Sequence, residues 1–339
     1  MIALLRHSIN FYFGFAVLII YLTSCSNEIP LNVPGDPVPV VWCMLNPNAN
    51  EQYVRLGRSF MNDPNDPLKP PITDSTVWNR AITVYVEEMQ NGLPLKIFYF
   101  DPITSPPKDT GYFPNDNLRL YRAIFKPNRL STYRIYVHFE DDDRIVTGTT
   151  LIPAQPLILD PLEIPGRKIN LQSGVQYTMR WNPAVGAGIY QGCFRVFYDE
   201  TINSQTTNFD VVVKQAPLLI FADLVQIQIQ ASGVHFINEL SRLIPFKANA
   251  ERSITGLQFQ LFTGGEELAL QVSPDLATTT ISNSLNQYTN LSHGIGLFSS
   301  LQLQTISNLE LSNTTLNDIA RSEQTKNLGF RDVHEGEQK

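Results

Sequence analysis

Residues 132–150 read TYRIYVHFEDDDRIVTGTT, and this stretch decides the fold class. In its first eight residues apolar and polar side chains alternate, so Tyr133, Ile135 and Val137 share one face of an extended strand. The three aspartates at 141–143 favour a turn, and residues 144–150 return with many β-branched side chains. The stretch therefore predicts a β-hairpin with one buried face.

Runs of β-branched and aromatic residues occur on both sides of this hairpin. The predicted strands of the N-terminal half lie at 38–45, 51–60, 81–86, 95–100, 118–125, 132–139 and 144–150. Seven short strands with little helical periodicity indicate an Ig-like β-sandwich over residues 38–153. Its predicted C-terminal boundary is marked by a group of prolines, namely Pro153, Pro156, Pro161 and Pro165.

The C-terminal half is predicted to form a second β-rich domain with helical insertions, over residues 154–320. Its predicted strands lie at 174–181, 188–198, 207–214 and 218–230, with a hairpin at 254–272 that turns at Gly264-Gly265. The ending Trp181-Asn182-Pro183, followed by a further strand, resembles the opening hairpin of a fibronectin-III-like domain. Helical spacing predicts helices over 232–244, 275–285 and 311–321, and residues 321–339 are predicted to form a charged tail.

The composition of the 339-residue chain excludes several classes of protein. With 43% hydrophobic and 17% charged residues, the chain has enough apolar material for a packed core, so it is not globally disordered. The net charge of −7 and the lack of a basic stripe argue against nucleic acid as a partner. Three cysteines are too few for a disulfide scaffold.

The N-terminus has the three parts of a secretory signal for lipoproteins. Arg6 and His7 form a short basic segment, and the apolar run at 11–22 is shorter than the roughly 20 residues that span a bilayer. It ends in Leu22-Thr23-Ser24-Cys25, which resembles the bacterial lipobox. The resemblance implies a signal peptide at 1–24, diacylglycerol on the sulfur of Cys25 and an acylated N-terminus, which together anchor a protein in a membrane. Residues 25–37 are then an extended tether.

Motifs with a known chemical mechanism are not found in the sequence. The histidines at 138, 235, 293 and 334 are too scattered for a metal site, so we expect no enzyme activity, no cofactor and no metal. The acidic stretch Glu140–Asp143 and the loop at 62–66 could offer carboxylates to calcium, but turn chemistry explains both. For Cys43 and Cys193 we favour two separate buried thiols, and a disulfide between them is the alternative.

Four residues are candidates for contact with a ligand or partner. Trp78 borders a polar loop, so its ring is the tryptophan ring expected to be exposed. Gly294, Gly296 and Phe298 lie in the segment GIGLF, which is either a turn that packs aromatic rings or a binding loop.

Several longer stretches occur in an order that resembles a known family. These stretches are PVVWCMLNPNANEQYVRLGRSF (39–60), YRIYVHFEDDDRIVTGTTLIP (133–153), YTNLSHGIGLFSSL (288–301) and NLELSNTTL (308–316). The order is similar to that of a family of Bacteroidota outer-membrane lipoproteins known as a domain of unknown function. Its members are often encoded beside TonB-dependent transporters, which implies an accessory role in nutrient uptake.

Taken together, these features favour a non-enzymatic, lipid-anchored protein of the outer membrane that binds a ligand or a transporter. They leave open whether the protein faces the periplasm or the cell surface. The alternatives are a structural or adhesive surface module and, less favoured, a hydrolase of unrecognised class, because β-sandwiches serve all three purposes.

Overall fold

The chain folds into a mainly β structure, which confirms the predicted mainly β fold class. The fibronectin-III-like type of the second domain stays a prediction. A computed structural model describes residues 37–59, 77–103, 119–220, 224–273 and 288–333. The predicted signal peptide, most of the tether, the loop at 62–74 and the predicted helix at 275–285 lie outside these residues.

The described residues form seventeen strands and three α-helices, and most strands fall where the sequence predicts them. The strands are β1 Pro39–Leu45, β2 Glu51–Arg58, β3 Ile82–Gln90, β4 Leu93–Ile103, β5 Arg119–Ile124, β6 Thr132–Phe139, β7 Arg144–Leu151, β8 Leu157–Asp160, β9 Lys168–Ile169, β10 Gln176–Asn182, β11 Ala187–Ile202, β12 Gln205–Lys214, β13 Leu218–Leu219, β14 Ile227–Ser232, β15 Glu251–Gly265, β16 Leu291–Ser292 and β17 Ile295–Leu311. The helices are α1 Gly233–Leu243, α2 Glu266–Val272 and α3 Asn313–Arg321, and a short 3-10 helix covers Lys326–Leu328.

Fourteen of these strands belong to one hydrogen-bonded sheet. Its order is β12-β11-β15-β17-β1-β2-β5-β4-β3-β6-β7-β16, with β13 paired to β11 and β9 paired to β17. A second sheet holds β14, β10 and β8. The central position of β17, between β15 and β1, joins the strands of the N-terminal half to those of the C-terminal half.

Strand β17 changes its partner along its length. Its first six residues, 295–300, pair in parallel with residues 40–45 of β1. From Leu301 onward it pairs antiparallel with β15, as far as the register of Leu309 with Leu257. The same strand therefore completes the hydrogen bonding of both halves.

The segment before β17 closes the opposite side of the N-terminal half. Strand β16 pairs with β7, and the side-chain amide of Asn290 donates to the carbonyl oxygens of Thr149 (3.0 Å) and Phe298 (2.7 Å). The side-chain oxygen of Asn290 accepts from the backbone N–H of Phe298 at 3.0 Å. Because Asn290 binds β7 and β17 at once, it holds the two ends of this part of the sheet together.

Buried apolar side chains form two clusters that follow the two halves of the sequence. One cluster is built from residues between Val41 and Ile152 together with Leu291 and Phe298, and the other from residues between Ile158 and Phe330. Backbone contacts nevertheless place all the described residues in one compact unit. The domain boundary after residue 153 stays a prediction.

The predicted hairpin at 254–272 is wrong. Strand β15 runs unbroken to Gly265 and is followed by helix α2. Glu266 and Glu267 stand in the first turn of α2, where the helix dipole favours negative charge, and Gly265 is the residue before that turn. Glycine pairs are typical of hairpin turns, and here the charge pattern after them favours a helix instead. The predicted strand at 218–230 is likewise divided, into β13 and β14.

Two predicted helices are confirmed, and each begins at a serine cap. The Ser232 hydroxyl accepts from the N–H of His235, and the Ser312 hydroxyl accepts from the N–H of Thr315. Helix α1 ends just before Pro245, as the missing N–H of proline requires.

A buried ion pair holds the C-terminal segment against β11. The side chain of Arg252 is 1% exposed, and its Nε donates to Glu200 at 2.9 Å. The same guanidinium donates to the carbonyl oxygens of Pro245 and Leu328. One side chain thereby joins β15, the end of α1 and the 3-10 helix.

We expect the contact between β17 and β1 to depend on Gly296. Its φ is +115°, and a Cβ there would lie 2.0 Å from the carbonyl oxygen of Val41. The Gly296→Ala variant should lower the free energy of unfolding by about 2–5 kcal/mol, because the clash is with backbone that cannot turn aside. Chemical denaturation measures this change.

The matched control is Gly256→Ala in β15. A Cβ at Gly256 would lie 3.7 Å from Phe197, an ordinary contact, so we expect a change within about 1 kcal/mol. Equal effects of the two substitutions would contradict the role given to Gly296.

Candidate functional site

A cavity of about 690 Å³ opens beside the N-terminus of β11. Its volume lies in the range of small-molecule sites, which are usually about 300–1,000 Å³. Its walls are the loop between β10 and β11, the chain around β13, and α2. The lining residues are Pro183, Ala184, Val185, Gly186, Ala187, Gly188, Ile220, Leu224, Glu266, Ala269 and Leu270.

The loop at 183–188 is held by hydrogen bonds at Ala184 and Val185. The backbone N–H of Ala184 donates to the hydroxyl of Tyr190 at 2.6 Å, and the N–H of Ala154 donates to the carbonyl oxygen of Val185 at 3.0 Å. Gly186 has φ +79°, and a Cβ there would lie 2.6 Å from Cδ2 of Leu151. This wall therefore packs against the chain that leaves the N-terminal half.

The opposite wall, helix α2, approaches β11 closely at Gly188. A Cβ on Gly188 would lie 2.7 Å from Cα of Glu266 and 2.9 Å from Cβ of Ala269. The carbonyl oxygen of Gly188 accepts from the N–H of Ile220 at 2.8 Å, which holds the third wall, the chain around β13. The cavity is thus fixed by backbone contacts, so its shape is largely formed before any ligand binds.

The mouth of the cavity is apolar with a single charged group. Val185 is 69% exposed and Leu224 is 45% exposed, so apolar surface surrounds the opening. Among the described lining residues Glu266 is the one charged side chain, and it is exposed. Such a site suits a ligand with an apolar body and a positively charged or hydrogen-bond-donating group.

A second, smaller pocket of about 290 Å³ lies beside Ile189 of β11. Leu268 of α2 lines it together with Tyr190, Phe262 and Lys214. Since the larger cavity has more than twice the volume and a carboxylate at its mouth, we take the larger one as the candidate site.

The carboxylate of Glu267 does not line the cavity. Its Oε2 accepts from the hydroxyl of Thr150 at 2.9 Å and from that of Ser299 at 3.2 Å. Burial raises the pKa of Glu267, and the two hydroxyl groups offset this in part. Glu267 thereby ties α2 to β7 and to β17, the two strands that meet at the junction of the halves.

The ring of Trp78 is buried, so the expectation of an exposed tryptophan is wrong. Its side chain is 2% exposed, and its Nε1 donates to the carbonyl oxygen of Gly57 at 2.8 Å. The guanidinium of Arg80 lies 4.7 Å from the ring centroid, and Phe139 makes an edge contact at 4.9 Å. The prediction rested on the polar sequence next to Trp78, and that sequence does not show that these partners cover the ring.

The segment that contains Gly294, Gly296 and Phe298 passes from β16 into β17. Phe298 is fully buried, and Gly296 lies directly against the backbone of β1. Neither these three residues nor Trp78 lines the cavity. Their expected role in binding a ligand or partner stays a prediction, and the two buried rings offer no surface to a ligand.

Two further groups of polar residues have structural partners. Cys43 and Cys193 are free and buried, which confirms the expectation of two separate thiols. Burial raises the pKa of both, that of Cys193 to about 11, so neither thiol is readily ionised. Asp141 and Asp142 accept from the guanidinium of Arg80 at 2.7 and 2.8 Å. Within the described ranges no cluster of three or more His, Cys, Asp or Glu side chains could hold a metal ion.

Cys25 lies outside the described residues, so its lipidation stays a prediction. None of the helices in the part of the chain that the structure describes is long and apolar enough to cross a membrane.

The fold and the cavity define a mainly β protein with one candidate small-molecule site. The sequence matches the family described as a domain of unknown function (DUF4249) over residues 26–308, and the chain belongs to this family. No curated protein matches the chain. Among solved structures, one similar chain is titled "Crystal structure of DIP-gamma IG1+IG2", with 9% identity, a TM-score of 0.17, and coverage of 82% of this chain and 99% of that one.

We expect Glu267 to make the stability of the protein depend on pH. Because burial raises its pKa in the folded state, the folded chain holds this proton more tightly than the unfolded chain does. The stabilisation that protonated Glu267 contributes is therefore fully present below the ordinary pKa of glutamate. It is lost as the pH rises through the raised pKa of the folded state. The Glu267→Gln variant, which keeps an acceptor for both hydroxyl groups, should melt at a higher temperature than the wild type at pH 7.

Calorimetry at pH 4 and pH 7 measures this effect, and the advantage of the variant should shrink at pH 4. Glu266→Gln is the matched control, because Glu266 is exposed and should change the melting temperature less. A Glu267→Gln variant with the lower melting temperature at pH 7 would show that the carboxylate stabilises the fold.

Proposed function

We propose that this chain is a non-enzymatic lipoprotein of the outer membrane that binds a small ligand as an accessory subunit of a TonB-dependent uptake system. The observation that carries the proposal is the preformed cavity of about 690 Å³, whose walls combine aliphatic side chains with backbone polar groups and which has one carboxylate at its mouth. The ligand class that fits it is a small apolar molecule with a cationic or donor group.

Membrane anchoring is supported by the sequence at the N-terminus. A basic segment, an apolar run and the lipobox ending in Cys25 stand in the order that lipoprotein processing requires. Two or more acyl chains on Cys25 would give stable attachment, since each buried CH₂ contributes about 0.8 kcal/mol. The association with a transporter rests on the resemblance to lipoproteins that are often encoded beside TonB-dependent transporters.

A binding role is favoured over catalysis by the chemistry of the cavity. Its described walls present aliphatic side chains, backbone and one exposed carboxylate, without a second titratable group to share proton transfer. Aliphatic side chains in such walls exclude water from a ligand, and the backbone polar groups and the single charge orient it.

The cavity can be tested with two probes that differ by one charge, 4-phenylbutylamine and 4-phenylbutanol. The amine should bind about 2–5-fold more tightly, as an exposed ion pair with Glu266 would give, and Glu266→Gln should remove the difference. Ligand-observed NMR measures both affinities.

Val185→Trp should weaken both probes by at least about 10-fold, because the larger ring occupies the mouth of the cavity. Val225→Trp is the matched control, since Val225 is 93% exposed and does not line the cavity. Equal binding by the two variants would place the probes elsewhere and contradict the proposed site.

The transporter association can be tested with the native protein purified from membranes in mild detergent. We expect a β-barrel transporter to co-purify in stoichiometric amount and to be lost with Cys25→Ala, which lacks the lipid anchor. Mass spectrometry identifies the partner. A solitary lipoprotein would contradict the accessory role and favour the adhesive alternative.

A further inference from the structure

The smaller pocket of the C-terminal half differs from the larger cavity in the sign of its charge. Among its described lining residues the one charged side chain is that of Lys214, whereas the larger cavity has the carboxylate of Glu266. With a volume of about 290 Å³, the smaller pocket is close to the lower limit of roughly 300 Å³ for small-molecule sites. It therefore suits a ligand no larger than one ring with a short chain.

The strand register places the floor of this pocket on one face of the sheet. Ile189 of β11 lies opposite Gly264 of β15, and Gly264 lies opposite Leu301 of β17. Two residues farther along β11, Gln191 lies opposite Phe262. Because side chains alternate between the two faces of a strand, these five residues share one face, and all five line the pocket.

Gly264 makes this part of the face concave. A Cβ there would lie 2.7 Å from Cγ2 of Ile189 and 2.7 Å from Cδ2 of Leu268. Leu268 of α2 therefore packs directly over the glycine and forms a wall beside the floor. Since the pocket is shaped by packing between a helix and a sheet, a ligand finds it already formed.

The cation of the pocket is free to bind an anion. Lys214 is the last residue of β12 and is exposed, and it lies opposite Cys193, two residues beyond Gln191. Its side chain is therefore on the same face as the floor. In the part of the chain that the structure describes, the Lys214 ammonium is in no ion pair, whereas that of Lys247 binds Glu200. A negatively charged group complements this site.

Gln191 supplies a hydrogen-bond donor beside this charge. Its Nε2 donates to the carbonyl oxygen of Gln215 at 2.8 Å, and Gln215 directly follows Lys214. An amide nitrogen carries two N–H groups, and the second one has no acceptor among the described residues. A carboxylate has two acceptor oxygens, so it can bind the ammonium and the amide together.

We propose that this pocket binds a small apolar carboxylate, with its hydrocarbon part against Phe262, Leu268 and Leu301 and its charged group at Lys214. The apolar side chains exclude water from the ligand, and Lys214 with Gln191 selects its charge. The described lining residues of this pocket and of the larger cavity do not overlap, so the two sites can be tested independently.

The test compares 4-phenylbutyrate with 4-phenylbutyramide, which has the same hydrocarbon part and no charge. Both probes are titrated into the full chain, purified from membranes in mild detergent, with Val185→Trp in place to close the larger cavity. Ligand-observed NMR measures the affinities, with protein-free micelles as the blank. The acid should bind about 2–5-fold more tightly than the amide, as an exposed ion pair would give. Lys214→Gln should remove this difference, and Lys214→Arg should keep it.

Pro217→Trp should weaken both probes by at least about 10-fold, because Pro217 is exposed and lines the pocket, so the larger ring occupies it. Ala216→Trp is the matched control, since Ala216 is exposed and does not line the pocket.

Labelling of lysines with an amine-reactive reagent supplies the second readout. Saturating 4-phenylbutyrate should slow the labelling of Lys214, as measured by mass spectrometry of its peptide. The labelling of Lys96 should not change, because Lys96 is exposed and does not line the pocket.

Failure of this proposal differs from failure of the proposed function, because 4-phenylbutylamine reports on Glu266 and 4-phenylbutyrate reports on Lys214. Undetectable binding of the acid, equal affinities for acid and amide, or a preference that survives Lys214→Gln would each overturn the proposal. Equal binding by Pro217→Trp and Ala216→Trp, or unchanged labelling of Lys214, would overturn it as well.

Discussion

Strand β17 is the constraint on which the rest of the structure depends. Its first part is the parallel neighbour of β1 and its second part is the antiparallel neighbour of β15, so neither half has a complete sheet without it. Its buried residues are shared in the same way, because Phe298 belongs to the first apolar cluster and Leu309 to the second. Asn290 adds the bond to β7 that closes the first half. The 17 residues of one strand therefore connect both hydrophobic clusters.

The candidate site follows from this junction. Helix α2 begins where β15 ends, and Glu267 binds Ser299 of β17 and Thr150 of β7. The facing loop packs on Leu151 through Gly186. Two of the three walls of the cavity are thus fixed to the place where the halves meet, and walls held in this way lose little conformational entropy when a ligand binds.

Local patterns predicted the elements of this fold, and long-range contacts decided what the sequence could not show. Alternation gave β6 with its observed bounds, and helical spacing gave α1 and α3. The pairing of β1 with β17 joins residues some 255 positions apart, and no local pattern marks such a contact. The turn expected at Gly264-Gly265 was wrong because two glutamates favour the start of a helix there. The cavity was not predicted, since its walls are small residues, PAVGAG at 183–188, whose significance is the close approach they allow. Trp78 shows the same limit, because two of the residues that cover its ring, Gly57 and Phe139, are distant in sequence.

The central claim is that β17 makes the two halves one cooperative unit that holds the cavity in shape. Hydrogen exchange at increasing urea, read by mass spectrometry on peptides from β6 and from β11, tests it most directly. Because both halves share β17, we expect both peptides to lose their protection at the same urea concentration, in one transition. Loss of protection in β11 while β6 stays protected, or the reverse, would show that the halves unfold independently and would contradict the account.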